Sequence, residues 1–208
     1  MNKKGSVLIL SGVILISLAL CLTVYNFYSE KAAEKSAAVA YEQMAEHISE
    51  VEEEIEGYTK YEEVEFVPDY ILNPKMDMPE TVIDGKRYIG MIEIPALGIR
   101  LPVISELTDA SLKIAPSRYK GSAYTDDLII GAHNYRTHFS NLRNLPVGSH
   151  VIFTDSDGNV FNYISVETQT LQPTAIKEMQ SGEWDLTLFT CTFGGQYRIT
   201  VRCEKTDN

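Results

Sequence analysis

The chain has 208 residues, 44% of them hydrophobic, which suits one globular domain of ordinary size with further segments attached. Its formal net charge is −11, and this argues against a nucleic-acid partner, because phosphate binding needs clustered Lys and Arg.

Residues Val7 to Tyr25 carry no charge. About twenty apolar residues at 1.5 Å rise span a bilayer core. Lys3 and Lys4 precede the run and Glu30 is the first charge after it. Positive charge stays on the cytoplasmic side, so the N-terminus is expected inside and everything beyond Tyr25 outside. A cleaved signal peptide would have a shorter apolar core and small residues at a cleavage site. Leu18-Ala19-Leu20-Cys21 faintly resembles a lipoprotein box, but Leu20 is bulky where a small residue is wanted. A retained anchor, with residues 1–28 forming the cytoplasmic tip and the membrane segment, is therefore expected.

Residues Ser29 to Tyr58 are rich in Ala, Glu and Lys and lack Pro, which favours helix. Ala37, Tyr41, Met44, Ile48, Val51, Ile55 and Tyr58 recur at steps of four and three, a narrow apolar seam. The spacing predicts a helical stalk over 29–58 that docks on the chain's own domain or self-associates weakly. Ten glutamates between Glu42 and Glu65 are answered only by Lys60, and such a run reads as a solvated face. Residues 59–84 hold Pro68, Pro74 and Pro79 with little periodicity and read as a linker.

From Tyr88 the texture becomes that of strands, and residues 85–208 are expected to form one domain. Tyr88 to Pro95 alternates and stops at Pro; Ile99 to Ile104 follows after a short turn; Asp127 to Gly131 is a short buried run. Val151 to Thr154 and Val160 to Val166 flank Asp155-Ser156-Asp157-Gly158-Asn159, and Asp-Gly between two such runs signals a hairpin. The Asp-x-Asp-Gly piece lacks the remaining ligand positions of a calcium loop, so the turn reading is preferred. Thr174 to Ser181 reads as a short helix, and Leu186 to Cys191 with Tyr197 to Cys203 make a final hairpin. Many short strands with turn signals imply an all-β barrel or sandwich.

The final hairpin carries the chemistry. In any antiparallel register Arg198 falls within about two residues of Cys191. Cys203 falls near Asp185, about five or six strand residues away, on the order of 18 Å. A disulfide needs Cα atoms closer than about 7 Å, so Cys191 is expected to be a free thiol. A free thiol beside positive charge is the ordinary setting of a reactive cysteine. Such a nucleophile needs an acid/base partner. Of the four histidines, His47 lies in the acidic helix and His150 at a strand start, both read as surface residues. His133 follows the apolar strand through Gly131-Ala132 and precedes Asn134; His138 is the fallback. Spacing alone leaves His133 about evenly balanced between a catalytic and a structural role.

These segments resemble a known family. Thr187-Leu188-Phe189-Thr190-Cys191 resembles the Thr-Leu-x-Thr-Cys signature of sortases, the cysteine transpeptidases of Gram-positive-type bacteria. Arg198-Ile199-Thr200-Val201 resembles the strand bearing that family's active-site arginine, and Gly131-Ala132-His133-Asn134 its strand-end histidine motif. Ile89 to Ile99 resembles the first strands, and the resemblance runs from about Tyr88 to Lys205. The order His, Cys, Arg argues against a papain-like protease. A chymotrypsin-like cysteine protease would want Gly where Phe189 and Thr192 stand.

The resemblance implies an eight-stranded β-barrel with short helices. It also implies a catalytic trio of His133, Cys191 and Arg198, with Thr190, Asn134 and Trp184 as substrate contacts. The implied reaction cleaves a Leu-Pro-x-Thr-Gly-like signal, forms a thioacyl-enzyme at Cys191 and passes the protein to a cell-wall precursor amine or a pilin lysine. No metal or cofactor is implied, and the neighbouring Asp126-Asp127 is weak evidence for calcium. The subclass is left open by the short Cys-to-Arg loop with Gly194-Gly195. The alternatives are a non-catalytic membrane-tethered β-domain and a simple cysteine endopeptidase. The resemblance carries a structural condition. A five-residue loop would turn Arg198 to the face away from Cys191, whereas a six-residue loop would put them on one face.

Overall fold

Lys3–Glu62 form one continuous helix, α1, in the computed structural model, which describes residues 3–62 and 66–206. Glu63 and Glu65 of the acidic run, residues 63–65 of the expected linker, the first two residues of the expected cytoplasmic tip, and the Tyr58 side chain of the seam lie outside the described residues. No break separates the apolar run from the stalk: Asn26 to Ser29 are weaker helix formers than Ala or Leu, but neither Pro nor Gly stands among them. No residue of the apolar window is buried, and this is a helix long and apolar enough to cross a membrane.

Beyond the apolar portion, Ala33, Ala37, Ala40, Met44 and Ile48 are buried, while Tyr41, Val51 and Ile55 are half-buried. Ala37, Ala40, Met44 and Ile48 join the main hydrophobic core. The seam therefore docks on the chain's own domain, with small residues allowing close approach. Burying Met44 and Ile48 contributes roughly 1.5–3 kcal/mol each. Tyr41 adds a polar lock: its hydroxyl donates to Glu93 at 3.0 Å, and Arg100 pairs with the same carboxylate at 3.2 Å. Burial, then the Glu93 contact, pushes the Tyr41 phenol up to about 12.

The linker holds one helical turn, α2 (Asp69–Leu72), and a short strand, β1 (Thr81–Ile83). Asp84 and Gly85, both at positive φ, turn the chain into β2 (Lys86–Ile94), so strand pairing begins before the expected domain start at 85. This is the Asp-Gly hairpin signal again, at a strand too short to be read from periodicity.

The other strands are β3 (Ile99–Ile104), β4 (Ser117–Lys120), β5 (Leu128–Ala132), β6 (His150–Asp155), β7 (Val160–Leu171), β8 (Leu186–Cys191) and β9 (Arg198–Lys205). Two single-turn helices, α3 (Asp109–Leu112) and α4 (Ile176–Met179), lie between them. The sheet runs β1-β2-β3-β4-β5-β8-β9-β7-β6, and β6 pairs back to β2. Strands β2 to β9 thus close an eight-stranded barrel, with β1 appended to β2 outside the ring. Only β3–β4 and β5–β8 are parallel.

Closure depends on Gly90, which pairs with Asp155 of β6 at φ 147°. A Cβ there would collide with the Thr154 carbonyl oxygen and stand 2.7 Å from Asp155 Cα. The β6–β7 turn folds around Asp155, whose carboxylate accepts from Asp157 N, Asn159 N, Asn159 Nδ2 and Tyr124 Oη. The Asp-x-Asp-Gly piece is a hairpin turn, as expected.

Candidate active site

Two pairs of strands bring three distant segments to one end of the barrel. β5 and β8 lie parallel with Ala132 beside Thr190, so His133, just past the end of β5, and Cys191, the last residue of β8, emerge at the same end of the barrel. Thr190 is buried and its hydroxyl donates to the Ala132 carbonyl at 2.9 Å. That bond fixes the relative height of the two strand ends immediately before the imidazole and the thiol.

β8 and β9 form the closing hairpin, with Cys191 paired to Arg198 and a six-residue loop, 192–197, between them. The condition on the register is met: directly opposed residues project to the same face, with Cβ atoms about 4.5–5.5 Å apart. The Arg198 Nη1 donates to Gly195 O at 3.0 Å and to Tyr197 O at 3.3 Å. Its Nε and Nη2 donate to nothing among the described residues. The loop thus holds one edge of the guanidinium and leaves the other for a ligand.

Cys191, Cys203 and Cys21 are all free thiols. Cys203 pairs with Leu186 at the far end of the hairpin, one position from the expected Asp185. Burial pushes its thiol up to about 12, so it is an inert core residue, whereas Cys191 is half-buried at the mouth of a cavity.

That cavity, of about 340 Å³, is lined by His133, Cys191 and Arg198 together. Leu107, Tyr119 and Phe189 give it an apolar floor, and Ala175, Ile176 and Met179 form one wall. Gly131 permits the floor: a Cβ on it would lie 2.5 Å from Phe189 Cζ and 2.7 Å from Leu107 Cδ1. Burial, then the positive charge of Lys113, holds the His133 imidazole below its ordinary value, with Asp109 opposing. Both groups belong to the α3 segment, whose capping box between Thr108 and Ser111 sets their position.

The fallback histidine turns the other way. His138 is fully buried, its ring nitrogens lack hydrogen-bond partners among the described residues, and burial takes its imidazole down to about 4. The surface readings of the other two stand apart from the site: His150 is exposed and His47 half-buried on α1.

Three expected substrate contacts lie elsewhere. The Thr190 hydroxyl faces the strand rather than the cavity. Asn134 follows His133 in the loop and does not line the cavity. Trp184 does not line this cavity but lines two others together with Arg202. The family resemblance implied that contact, and the helix before it is shorter than expected, Ile176–Met179 instead of 174–181.

A residue the sequence reading missed is Arg202. It is buried, and donates to Gln169 Oε1, Thr187 Oγ1, Glu178 O and Met179 O. It clamps the α4 wall of the cavity to β7, β8 and β9. Burial lowers the guanidinium's affinity for its proton, offset by Glu167 and Glu183. In the sequence it stands at a polar phase of β9, on the face of Arg198 and Thr200, and so reads as outward-facing.

A sortase domain family model matches residues 92–206, more than half the chain. The chain belongs to the sortase family. Solved structures with the same fold include the sortase D5 transpeptidase of Clostridium perfringens, at TM-score 0.57 and 17% identity, covering 85% of this chain and 99% of that one. Sortase C1 of Streptococcus agalactiae matches at TM-score 0.54 and 22% identity, covering 81% and 90%. A lid mutant of sortase A from Corynebacterium diphtheriae matches at 0.52 and 19%, covering 83% and 96%. A search of curated proteins returned no match. The structural neighbours span sortase classes A, C and D, so they leave the subclass of this sortase open, and the eight-stranded barrel expected from its motifs is the fold they share.

Proposed function

We propose that this sortase is a transpeptidase in which Cys191 is the nucleophile, His133 the proton carrier and Arg198 the electrostatic clamp. The observation that carries this reading is the meeting of the three side chains in one apolar-floored cavity at the barrel end. The thiol gives its proton to His133 Nδ1 or Nε2, and the thiolate attacks the carbonyl carbon after the Thr of a Leu-Pro-x-Thr-Gly-like signal. Electrons move onto the carbonyl oxygen, and the free edge of the Arg198 guanidinium donates to that oxyanion, a contact of several kcal/mol in a dry site. Collapse breaks the C–N bond, and the imidazolium protonates the departing amine. A thioester on Cys191 remains. An incoming amine, from a cell-wall precursor or a pilin lysine, attacks it and loses its proton to His133; the thiolate departs and is reprotonated. The apolar floor at Leu107, Tyr119 and Phe189 suits the apolar side chains of such a signal.

The exposed apolar part of α1 is a retained anchor, with Lys3 and Lys4 on the cytoplasmic side and the barrel outside. An enzyme acting on exported chains is thereby held beside them.

The test is a fluorogenic sorting-signal peptide library with and without added amines, on the wild type and on Cys191→Ala and His133→Ala. Transfer to the amine, abolished in both variants, is expected. Cleavage that added amines never divert would establish an endopeptidase instead, and activity surviving Cys191→Ala would remove the nucleophile assignment.

A further inference from the structure

We propose that the 192–197 loop rests in the interfacial layer of the bilayer that holds α1, with Phe193 as its apolar contact, so that the cavity opens at the membrane surface. The inference rests on the anchored reading given above.

The direction of α1 along the barrel carries the argument. At its membrane end, Ser29 Oγ shares a hydrogen bond with Tyr135 Oη at 3.2 Å, and Glu30 Oε1 accepts from Arg136 N at 2.7 Å. Tyr135 and Arg136 belong to the loop just after His133. About five helical turns further on, Ile48 and Glu52 lie against Gly158 in the β6–β7 turn. These are opposite ends of the barrel, because β7 runs from Val160 beside that turn to Leu171, which pairs with Arg198. The end bearing His133, Cys191 and Arg198 is therefore the membrane-proximal end. The exposed apolar stretch of α1 ends with Phe27 and Tyr28, directly before Ser29, so contact with the barrel begins where that stretch stops.

The chemistry of that end fits a lipid interface. Phe193 is 98% exposed, far beyond its neighbours, and Tyr197 and Ile176 beside the cavity are exposed too. Tyr, with its polar tip, favours the headgroup region, and Phe supplies the apolar contact of segments that lie at the headgroup/acyl boundary; Phe27 and Tyr28 form such a pair at the end of the anchor. The loop Thr192 to Tyr197 carries no acid, and Arg198 follows it. The glutamates from Glu46 to Glu56 lie four or more helical turns beyond Ser29, well outside a Debye length of about 8 Å from the headgroups.

The full-length protein in vesicles of phosphatidylcholine and phosphatidylglycerol tests this directly. Trp184 is the single tryptophan, so Trp184→Phe provides a silent background. In it, Phe193→Trp is expected to emit at shorter wavelength and to be quenched about twofold or more by lipids brominated near the headgroup. Val160→Trp, at the opposite end and 46% exposed, is expected to be untouched. Tyr197→Trp serves as the second loop probe should Phe193→Trp fail to fold. Equal quenching of both ends, or none at the loop in protein that resists alkaline carbonate extraction, would overturn the inference alone. Release by carbonate would sink it together with the anchored reading. Neither readout uses turnover, so a failed transpeptidation assay leaves it standing.

Discussion

Cys191 and Arg198 face one another across the hairpin that completes the barrel, joined by a loop of six residues. Side chains alternate faces with period two, so this pairing depends on the loop length and not on the two residues alone. Deleting Gly194, one of two loop glycines at positive φ, leaves five residues and is expected to turn Arg198 to the other face. Peptide cleavage should fall by about a hundredfold or more, as for loss of an oxyanion donor. Arg198→Ala should fall as far, and Arg198→Lys should recover little, because an ammonium lacks the planar fork that holds the loop carbonyls on one edge and offers the other to the oxyanion. Steady-state kinetics on one sorting-signal peptide checks all three; a deletion as active as wild type would separate the register from the chemistry.

In the proposed reaction, charges on the α3 segment tune the proton affinity of His133. Lys113 lowers its affinity for a proton and Asp109 raises it, against the larger lowering by burial. The imidazole must be neutral to accept the thiol proton, so activity is expected to fall as pH drops through the His133 value. Removing Lys113 raises that value, and the acid limb of kcat/KM should move to higher pH. Asp109→Asn should move it to lower pH. The charges are solvent-exposed, so shifts of about a few tenths of a pH unit are expected. Two variants moving the limb in the same direction would remove the electrostatic account.

The barrel strands with strong alternation were legible in the sequence, and β3 and β8 have the bounds their patterns suggest, Ile99–Ile104 and Leu186–Cys191. β4 was not legible, because Ser117–Lys120 has no apolar alternation, and only its pairing to β5 and, through Ser117, to β3 makes it a strand. The docking of α1 was half legible: the seam was visible, but its partner could be named only once Met44 and Ile48 were seen in the barrel core. At the site, motif order pointed to His133, Cys191 and Arg198. It could not show that the Thr190 hydroxyl turns to Ala132, because a β-strand's alternation has no phase until its neighbours are known.

Gly90 is where the ring closes on β6. Gly90→Ala would set a methyl against the Thr154 carbonyl and strain a φ of 147°. Backbone, not a flexible side-chain tip, is what must move. A loss of about 2–4 kcal/mol is expected, read as a lowered urea midpoint with an unchanged slope. Gly85→Ala is the contrast: its φ is 72° but nothing lies within 4 Å, so only the backbone strain of about 1 kcal/mol applies.

His138 gives the fold an acid limit. Its imidazole is buried and held at about 4, against an ordinary value near 6.5 in the unfolded chain. The folded state therefore binds this proton less readily than the unfolded state. Above about 6.5 the imidazole is neutral in both states and its titration contributes nothing; as pH falls from there the unfolded chain is progressively favoured, and the penalty levels off below about 4. Over that window the loss reaches roughly 3 kcal/mol. His138→Phe keeps an aromatic ring against Tyr135, removes the proton and removes two buried nitrogens that lack partners among the described residues. Urea denaturation at a series of pH values is expected to show a shallower loss of stability between pH 6.5 and 4 in the variant. At neutral pH the variant should be as stable as wild type or more so, because replacing an unsatisfied polar group with an apolar one of similar shape removes a desolvation cost. Parallel pH dependence in the two proteins would show that His138 is not the group that titrates.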